Sequence, residues 1–368
     1  MASKKIRLGI LFGGRSAEHE VSLISAKNVV DALDKDKYDV FLIGIDKTGE
    51  WKLRDGYSYL MNHDNPKQVR LNESKECVAL VPQNNRKEIV QCRDNQLQNP
   101  LELDVIFPVL HGTYGEDGTV QGLLKLANIP FVGAGVLSSS VGMDKDVTKR
   151  LLRDAGIHVA RFILLRDYNR DAYSFEKIVE ELGLPFFVKP TNAGSSVGVS
   201  KVKSKEQFEK CLNEAFLYDR KVLVEEYVQG REIECAVLGN DHPIVSLPGE
   251  IIPKHDFHSY DEKYMADGGA EFIIPAILPQ HLVEKIQQTA INAYRALCCE
   301  GMARVDCFLK GNGAIYVNEI NTIPGFTSQS MYPRLWKASG LSYSDLIDKL
   351  IELAIERHQK ESVLKTTF

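Results

Sequence analysis

Asp306 and Glu319 lie in two short alternating tracts separated by Gly311-Asn312-Gly313. Within Gly301 to Leu309, the residues Val305, Cys307 and Leu309 share one face of an extended chain, and Arg304 and Asp306 share the other. The glycine-asparagine turn returns Ile315 to Asn321 as the partner strand. A register with Leu309 opposite Tyr316 sets Asp306 opposite Glu319 and Arg304 opposite Asn321. Like charges directly opposite destabilise a strand pair, and one of two such carboxylates takes a proton unless a cation sits between them. Carboxylate and amide oxygens suit Mg²⁺, which keeps positions for water and phosphate. The alternative is a pair of exposed hairpin acids neutralised by Arg304, and the spacing alone leaves both readings open.

Phosphate chemistry has a second candidate in Asn192-Ala193-Gly194-Ser195-Ser196-Val197-Gly198, a loop between two strand-like tracts. Its backbone N–H groups can fold over an anion as a flap, or it can be a plain hairpin turn. No G-x-x-x-x-G-K-[ST] occurs, and Gly133-x-Gly135 lacks the third glycine of a dinucleotide fingerprint. Lys189 ends the tract Phe186-Phe187-Val188 beside this loop, placed as a half-buried cation or a solvated one. Val222 to Val228 reads as an apolar strand leaving toward a hinge, with Gly230-Arg231-Glu232 beyond. Edge backbone there can pair with an adenine ring, and an acid can hold ribose hydroxyls.

The elements that must position these groups follow from periodicity. Ile6 to Phe12 is a strand; Gly13-Gly14 turns the chain; Ser16 as N-cap opens a helix through about Leu33. Val40 to Ile45 and Val105 to Leu110 complete an open α/β sheet with crossover helices, and the polar stretch 52–100 reads as an insertion. Ile129 to Gly135 punctuates the chain before a helix carrying Asp144, Lys145, Lys149 and Arg150. Strands follow at Phe186 to Val188, Gly198 to Val202, Lys221 to Val224 and Ile233 to Leu238. A lid-like loop from Lys254 to Ala270 and a helix from His281 to Cys298 precede the hairpin and a final helix.

The 368 residues, 44% of them hydrophobic, are enough for two or three domains. A net charge of -5 gives no sign of nucleic acid or an anionic membrane as partner, which leaves small-molecule chemistry. Seven cysteines, odd in number and without C-x-x-C spacing, fit reduced thiols in a cytosol. The run Leu8 to Phe12 is too short for a signal peptide, and no stretch approaches the roughly 20 apolar residues of a membrane span.

Taken together, these tracts resemble the D-alanine:D-alanine ligases of the ATP-grasp superfamily, in their longer bacterial form, over essentially the whole chain. The resemblance is carried by Gly13-Gly14-Arg15-Ser16-Ala17-Glu18-His19-Glu20-Val21-Ser22, His111-Gly112-Thr113-Tyr114-Gly115-Glu116-Asp117-Gly118, Met143-Asp144-Lys145 and Lys189-Pro190. Gly194 to Gly198, Arg304-Val305-Asp306 and Asn318 to Thr327 add to it. It implies an α/β, three-domain ATP-grasp fold: residues 1–133 with an open parallel sheet binding the first substrate, 134–227 supplying the flap, and 228–368 supplying metal and lid. ATP would lie between the last two.

The implied reaction is phosphorylation of one D-alanine carboxylate by ATP, then attack on the acyl phosphate by a second D-alanine, in the service of peptidoglycan synthesis in the cytoplasm. By resemblance, Asp306, Glu319 and Asn321 hold two Mg²⁺ ions, for which Mn²⁺ can substitute. Lys145, Lys189, Ser196 and Lys263 meet phosphate, Glu225 and the Val228 backbone meet adenine, and Glu232 meets ribose. Glu18 receives the first substrate's ammonium, with Val21 and His111 around its methyl group and carboxylate. Arg304 and the Gly325 N–H face the tetrahedral oxyanion; Ser330 and Met331 hold the second substrate. Tyr264 in the lid reaches toward Ser195 and Glu18 and favours a dipeptide over a D-lactate depsipeptide. The resemblance also implies a homodimer. A non-catalytic nucleotide sensor would lack one of these groups, and none is missing; a hydroxyl kinase of the protein-kinase type would carry H-R-D and D-F-G, which are absent.

Overall fold

The computed structural model describes residues 4–54, 59–62, 68–74, 76–80, 88–93, 96–97, 100–195, 197–254 and 270–365. The first sheet contains β1 (Ile6–Gly13), β2 (Tyr38–Ile45), β3 (Trp51–Arg54), β6 (Glu76–Leu80), β7 (Glu88–Arg93), β8 (Gln96–Leu97), β9 (Leu101–Glu102) and β10 (Val105–Val109), with β4 (Leu60–Met61) and β5 (Arg70–Leu71) forming a separate ribbon. β1 runs parallel to both β10 and β2, as the apolar runs predict. Both faces of β1 are covered, so its sequence does not alternate. Leu8, Ile10 and Phe12 pack with Leu23, Ala26 and Val29 of helix α1 (His19–Ala32), whereas Leu11 packs with Val120 and Leu124 of α2 (Thr119–Leu126).

The stretch 52–100, read as an insertion, contributes strands to the first sheet as well as the β4–β5 ribbon. Trp51–Arg54 pairs antiparallel with β2, β6 pairs with β3, and β7 with β6, so the segment widens the same sheet. Ser16 does not cap α1, since the helix starts after Glu18. The Ser16 hydroxyl instead donates to the His111 carbonyl at 2.8 Å, tying the loop after β1 to the loop after β10.

The single helix expected after Gly135 is two, α3 (Val136–Met143) and α4 (Lys145–Asp154), broken at Asp144. Asp144 is extended, and its carboxylate caps α4 by accepting from the N–H groups of Asp146 and Val147. The second sheet is antiparallel, in the order β11 (Phe162–Arg166), β14 (Lys221–Glu226), β12 (Phe186–Pro190), β13 (Ser200–Val202). Helices α5 (Phe175–Leu182) and α6 (Lys205–Ala215) cover one face through Ile178, Leu182, Phe208 and Leu212 on Phe186, Val188, Val222 and Val224. Lys189 and Glu225 have the opposite parity and face away from those helices.

The third sheet takes β15 (Arg231–Leu238), β16 (Ile244–Val245), β17 (Gly249–Pro253), β18 (Ala270–Ile273), β19 (Met302–Leu309) and β20 (Ile315–Asn321), ordered β18-β17-β15-β19-β20 with β16 on β15. Helix α7 (Gln280–Ala296) buries one face with Ile286, Ala290, Ala293 and Tyr294 against Ile233, Cys235, Val305 and Cys307. On the other face, Ala236, Leu238 and Met302 meet α8 (Met331–Ala338) and α9 (Tyr343–Ser362). Beyond that cover the same parity continues as Glu234, Arg304 and Asp306.

Helix α9 also closes against the first sheet's unit. Tyr38 donates to Asp348 at 2.8 Å, Ser344 to the Ala32 carbonyl at 2.8 Å, and the buried Arg357 guanidinium to the carbonyls of Gly133 at 2.6 Å and Phe131 at 2.8 Å. Replacing Arg357 with Met leaves two buried carbonyls without that donor. The expected loss is about 2–4 kcal/mol, read as a lowered urea midpoint at unchanged m.

Candidate active site

The loops after β1 and β10 leave the same edge of the parallel strands, where open α/β sheets place ligands. Glu18 ends the first loop and is buried; His111 opens the second. Ser195, from the loop after β12, donates its hydroxyl hydrogen bond to Glu18 Oε1. Two glycines close on that carboxylate: a Cβ at Gly112, whose φ is +73°, would come within 2.7 Å of Glu18 Oε2, and one at Gly194 within 2.8 Å, so a side chain at either would displace the carboxylate. His111 is locked by Ser25 Oγ at 3.1 Å from Nε2, while Nδ1 donates to the Ile323 carbonyl at 3.2 Å. Burial presses this imidazole toward the neutral form, but Glu116 and Glu18 outweigh it and raise its pKa. Val21 sits two residues into α1, half-buried.

The nucleotide-side groups are organised by α4. Its first residue, Lys145, donates through its backbone to the Thr191 carbonyl at 3.1 Å and through Nζ to the Ala193 carbonyl at 2.7 Å, so it grips the base of the Gly/Ser loop. Asp219 holds the same base, accepting from Thr191 Oγ1 at 2.7 Å and the Asn192 N–H at 2.8 Å. Ser195 takes a positive φ of 48°, a backbone position seldom adopted by residues with a side chain. One turn along α4, Lys149 is fully buried and meets Glu225 Oε2 at 2.7 Å, while Lys189 meets Glu225 Oε1 at 2.6 Å. Burial alone would raise the Glu225 carboxyl; the two lysines reverse this and bring it down to about 2. The Lys149 amine is lowered, by burial first and Lys189 second, against the pull of Glu225.

On the third sheet the predicted pairings at the chemical residues are found: Asp306 lies opposite Glu319 and Arg304 opposite Asn321. Leu309 is opposite Ile315, not Tyr316, because the register shifts between Asp306 and Cys307. The extra residue is Asn318, whose carbonyl accepts from Lys149 Nζ at 3.3 Å, while the Val317 N–H donates to the His158 carbonyl at 2.9 Å. Arg304 is bidentate to Asp306, Nε and Nη2 each at 2.7 Å, and Asn321 Nδ2 donates to Asp306 at 2.9 Å. Burial would lower the guanidinium pKa, but Asp306 and Glu234 drive it well up.

Two carboxylates and an amide fit Mg²⁺, which takes one or two carboxylates plus substrate phosphates rather than a full protein cage. The charge in this row agrees, since one guanidinium faces Glu234, Asp306 and Glu319 across three adjacent strands. Glu232 lies on β15 opposite Phe308, half-buried, and Val228 is buried just past β14. Gly325 is close-packed, a Cβ there falling 2.9 Å from Ser330 Oγ, and Ser330 accepts from the Thr327 N–H at 3.1 Å. The Met331 side chain is buried in the core, which leaves its backbone at the start of α8 as what it offers a ligand. Ser196, Lys263 and Tyr264 lie outside the described residues.

Residues 7–134 match the family model described as D-ala D-ala ligase N-terminus, and residues 151–352 the model described as D-ala D-ala ligase C-terminus. The chain belongs to the D-alanine–D-alanine ligase family. It is 54% identical to the D-alanine–D-alanine ligase of Oceanobacillus iheyensis, covering 99% of both chains. It is also 54% identical to D-alanine–D-alanine ligase A of Escherichia coli K12, covering 99% of this chain and 100% of that one. Its structure is similar to that of the D-alanine–D-alanine ligase from Coxiella burnetii, with TM-score 0.83, 40% identity and 98% and 97% coverage. A D-Ala:D-Ser ligase from Enterococcus faecalis follows at TM-score 0.82 and 38% identity, covering 95% of this chain and all of that one.

Lys149, Glu116 and Glu234 are site residues to which sequence reasoning gave no role. Lys149 was placed on the right helix, but only burial distinguishes it from the exposed Arg150 beside it. Removing one partner of a buried pair costs about 3–5 kcal/mol, and that is the expected loss for Glu225→Gln. A carboxyl held near 2 contributes stability above its ordinary value of 4.5 that fades as pH falls toward 2. The stability gap to Glu225→Gln in urea unfolding is therefore expected to be full near neutrality and to shrink below about pH 4.5.

Proposed function

We propose that this protein is an ATP-dependent ligase joining two D-alanine molecules through a D-alanyl phosphate, releasing ADP and phosphate for peptidoglycan precursor synthesis in the cytoplasm. The observation that carries the reading is the Ser195–Glu18 hydrogen bond. It puts the loop suited to phosphate directly on a buried carboxylate suited to an ammonium group, so one substrate is held by both ends. Glu18 binds the first amine, and His111, raised in pKa and locked by Ser25 and the Ile323 carbonyl, lies near the carboxylate that is phosphorylated.

Lys145 and Lys189 neutralise phosphate, with adenine near Glu225 and Val228 and ribose at Glu232. Asp306, Glu319 and Asn321 would hold Mg²⁺, with Mn²⁺ as a substitute, and the bound cation would supply the positive charge that offsets the β- and γ-phosphates. Arg304 and the Gly325 N–H stabilise the oxyanion when the second amine attacks carbon, with Ser330 and Met331 at the second carboxylate. Ser196 and Lys263, which lie outside the described residues, keep their proposed contact with phosphate, and Tyr264, also outside them, its part in excluding water from the acyl phosphate. Three structural units, 1–133, 134–227 and 228–368, carry these roles, and the working form is a homodimer.

With ATP, Mg²⁺ and D-alanine, phosphate release is expected only when the amino acid is present, with a product of the mass of D-alanyl-D-alanine. Release that ignores D-alanine would sink the reading. Offering D-serine or D-lactate as second substrate separates the dipeptide from its nearest rivals. Asp306→Ala and Glu319→Ala are each expected to lower kcat by at least about a thousandfold with the fold intact by circular dichroism; Mg²⁺-dependent turnover unchanged in both would overturn the metal assignment.

A further inference from the structure

Glu234 has no assigned part in this reaction, yet it occupies the middle of the site's charged row. Its neighbours on β15 are apolar: Ile233 and Cys235 point into the core under α7, and Ala236 lies under the helical cover. A solvated acid is therefore not what this position demands. The Glu234 side chain is 7% exposed, and its Oε2 lies 2.9 Å from Arg304 Nε. Pairing of β15 with β19 sets Glu234 directly opposite Asp306 and Ala236 opposite Arg304, so the guanidinium leans across both strands.

Arg304 spends Nε and Nη2 on Asp306 in this arrangement. The ligase reading, on which this inference rests, gives Asp306 a second task as a cation ligand. An Asp306 that also ligates a cation divides its acceptor positions between the two and holds the guanidinium less firmly, and an arginine without a fixed partner is a poorly aimed donor. Preorganisation is what makes oxyanion donors effective, so something else must then hold Arg304.

We propose that Glu234 is a positioning residue for Arg304. Nε–H now donates to Asp306, and the buried Glu234 Oε2 lies beside it as an ion-pair partner rather than as its hydrogen-bond acceptor; when Asp306 turns to the cation, Glu234 takes over Nε–H and leaves the terminal N–H groups of the fork free to face the oxyanion. Glu234 does this without touching substrate, and the arrangement explains the third carboxylate of the row, since two suffice for the metal. It also separates the two halves of the chemistry. Phosphoryl transfer depends on Asp306 and Glu319, and attack at carbon depends on Arg304 held by Glu234.

The test compares wild type with Glu234→Gln, which keeps size and an acceptor for Nε–H but loses the charge. The first readout is steady-state kinetics. Glu234→Gln is expected to lower kcat by about 10- to 100-fold, less than the loss of a whole oxyanion donor, with KM for ATP changed by less than about threefold. The second is calorimetric binding of a phosphinate dipeptide analogue, whose tetrahedral oxygen stands where the oxyanion forms, alongside binding of Mg²⁺-ADP. Phosphinate affinity is expected to fall about 10-fold or more while Mg²⁺-ADP affinity holds, both measured at a temperature where circular dichroism shows the variant folded.

Equal losses of phosphinate and Mg²⁺-ADP affinity, or no loss of either, would overturn the proposal, the first by showing a merely structural residue. If Glu234→Gln does not fold, Glu234→Asp carries the same comparison with the charge kept one methylene farther away. It supports the proposal by the same selective loss of phosphinate affinity and overturns it by wild-type behaviour. A wild type that makes dipeptide while Glu234→Gln keeps full kcat defeats the Glu234 role alone. A wild type inert to D-alanine defeats the ligase reading and this proposal with it.

Discussion

A carboxylate sealed between two lysines is the constraint on which the rest of the site depends. Glu225 cannot be neutral beside Lys149 and Lys189, and neither lysine can be buried there without it, because an unpaired charge in such a place costs several kcal/mol. The three groups come from α4, β12 and β14. Satisfying them fixes the angle of α4 on the second sheet, and with it the position of Lys145 at the base of the Gly/Ser loop. The same ammonium on Lys149 reaches the Asn318 carbonyl in the bulge of β20, so the sheet carrying Asp306 and Glu319 is tied to the sheet carrying Lys189. A site split between two sheets needs such a tie, since catalysis by positioning tolerates little misplacement.

The site as a whole sits where apolar cover stops. On the third sheet, one face runs from Leu238 and Met302 under α8 and α9 to Glu234, Arg304 and Asp306 with no change in strand parity. Strand pairing alone therefore carries the backbone from core to active site. On the first sheet the same transition occurs at the ends of β1 and β10, where Ser22 and Ser25 on α1 are buried polar groups meeting Val109 and His111. The helices determine the extent of the cleft by ending, and the strands determine its contents.

That division explains what was legible in the sequence. Alternation within Gly301 to Leu309 sorted Arg304 and Asp306 from Val305 and Cys307, and the Gly311-Asn312-Gly313 turn located the partner strand, because both signals are local. The register was right at Asp306 and Glu319 and wrong at Leu309 because one bulge residue, Asn318, offsets one end of the ladder from the other. A bulge held by Lys149 and His158 answers to distant groups, and no local pattern announces it. Asp144 shows the converse. It is a good N-cap by residue type, yet helix-forming neighbours on both sides concealed the break that its extended backbone makes.

Charge is the property that sequence reports least well. Glu225, Glu226, Glu232 and Glu234 look alike as letters, but Glu225 is sealed between lysines, Glu226 reaches Arg161 at the surface, and Glu234 is pressed against Arg304. Their fates are separated by parity and by which strand lies alongside, and the second of these is a long-range fact. An acid at position 234 has meaning only once β15 is laid beside β19. From that pairing, the Arg304 guanidinium meets the carboxylates of both Glu234 and Asp306. What each acid does is decided by the cation that the folded chain brings to it, two lysines for Glu225 and one guanidinium for Glu234.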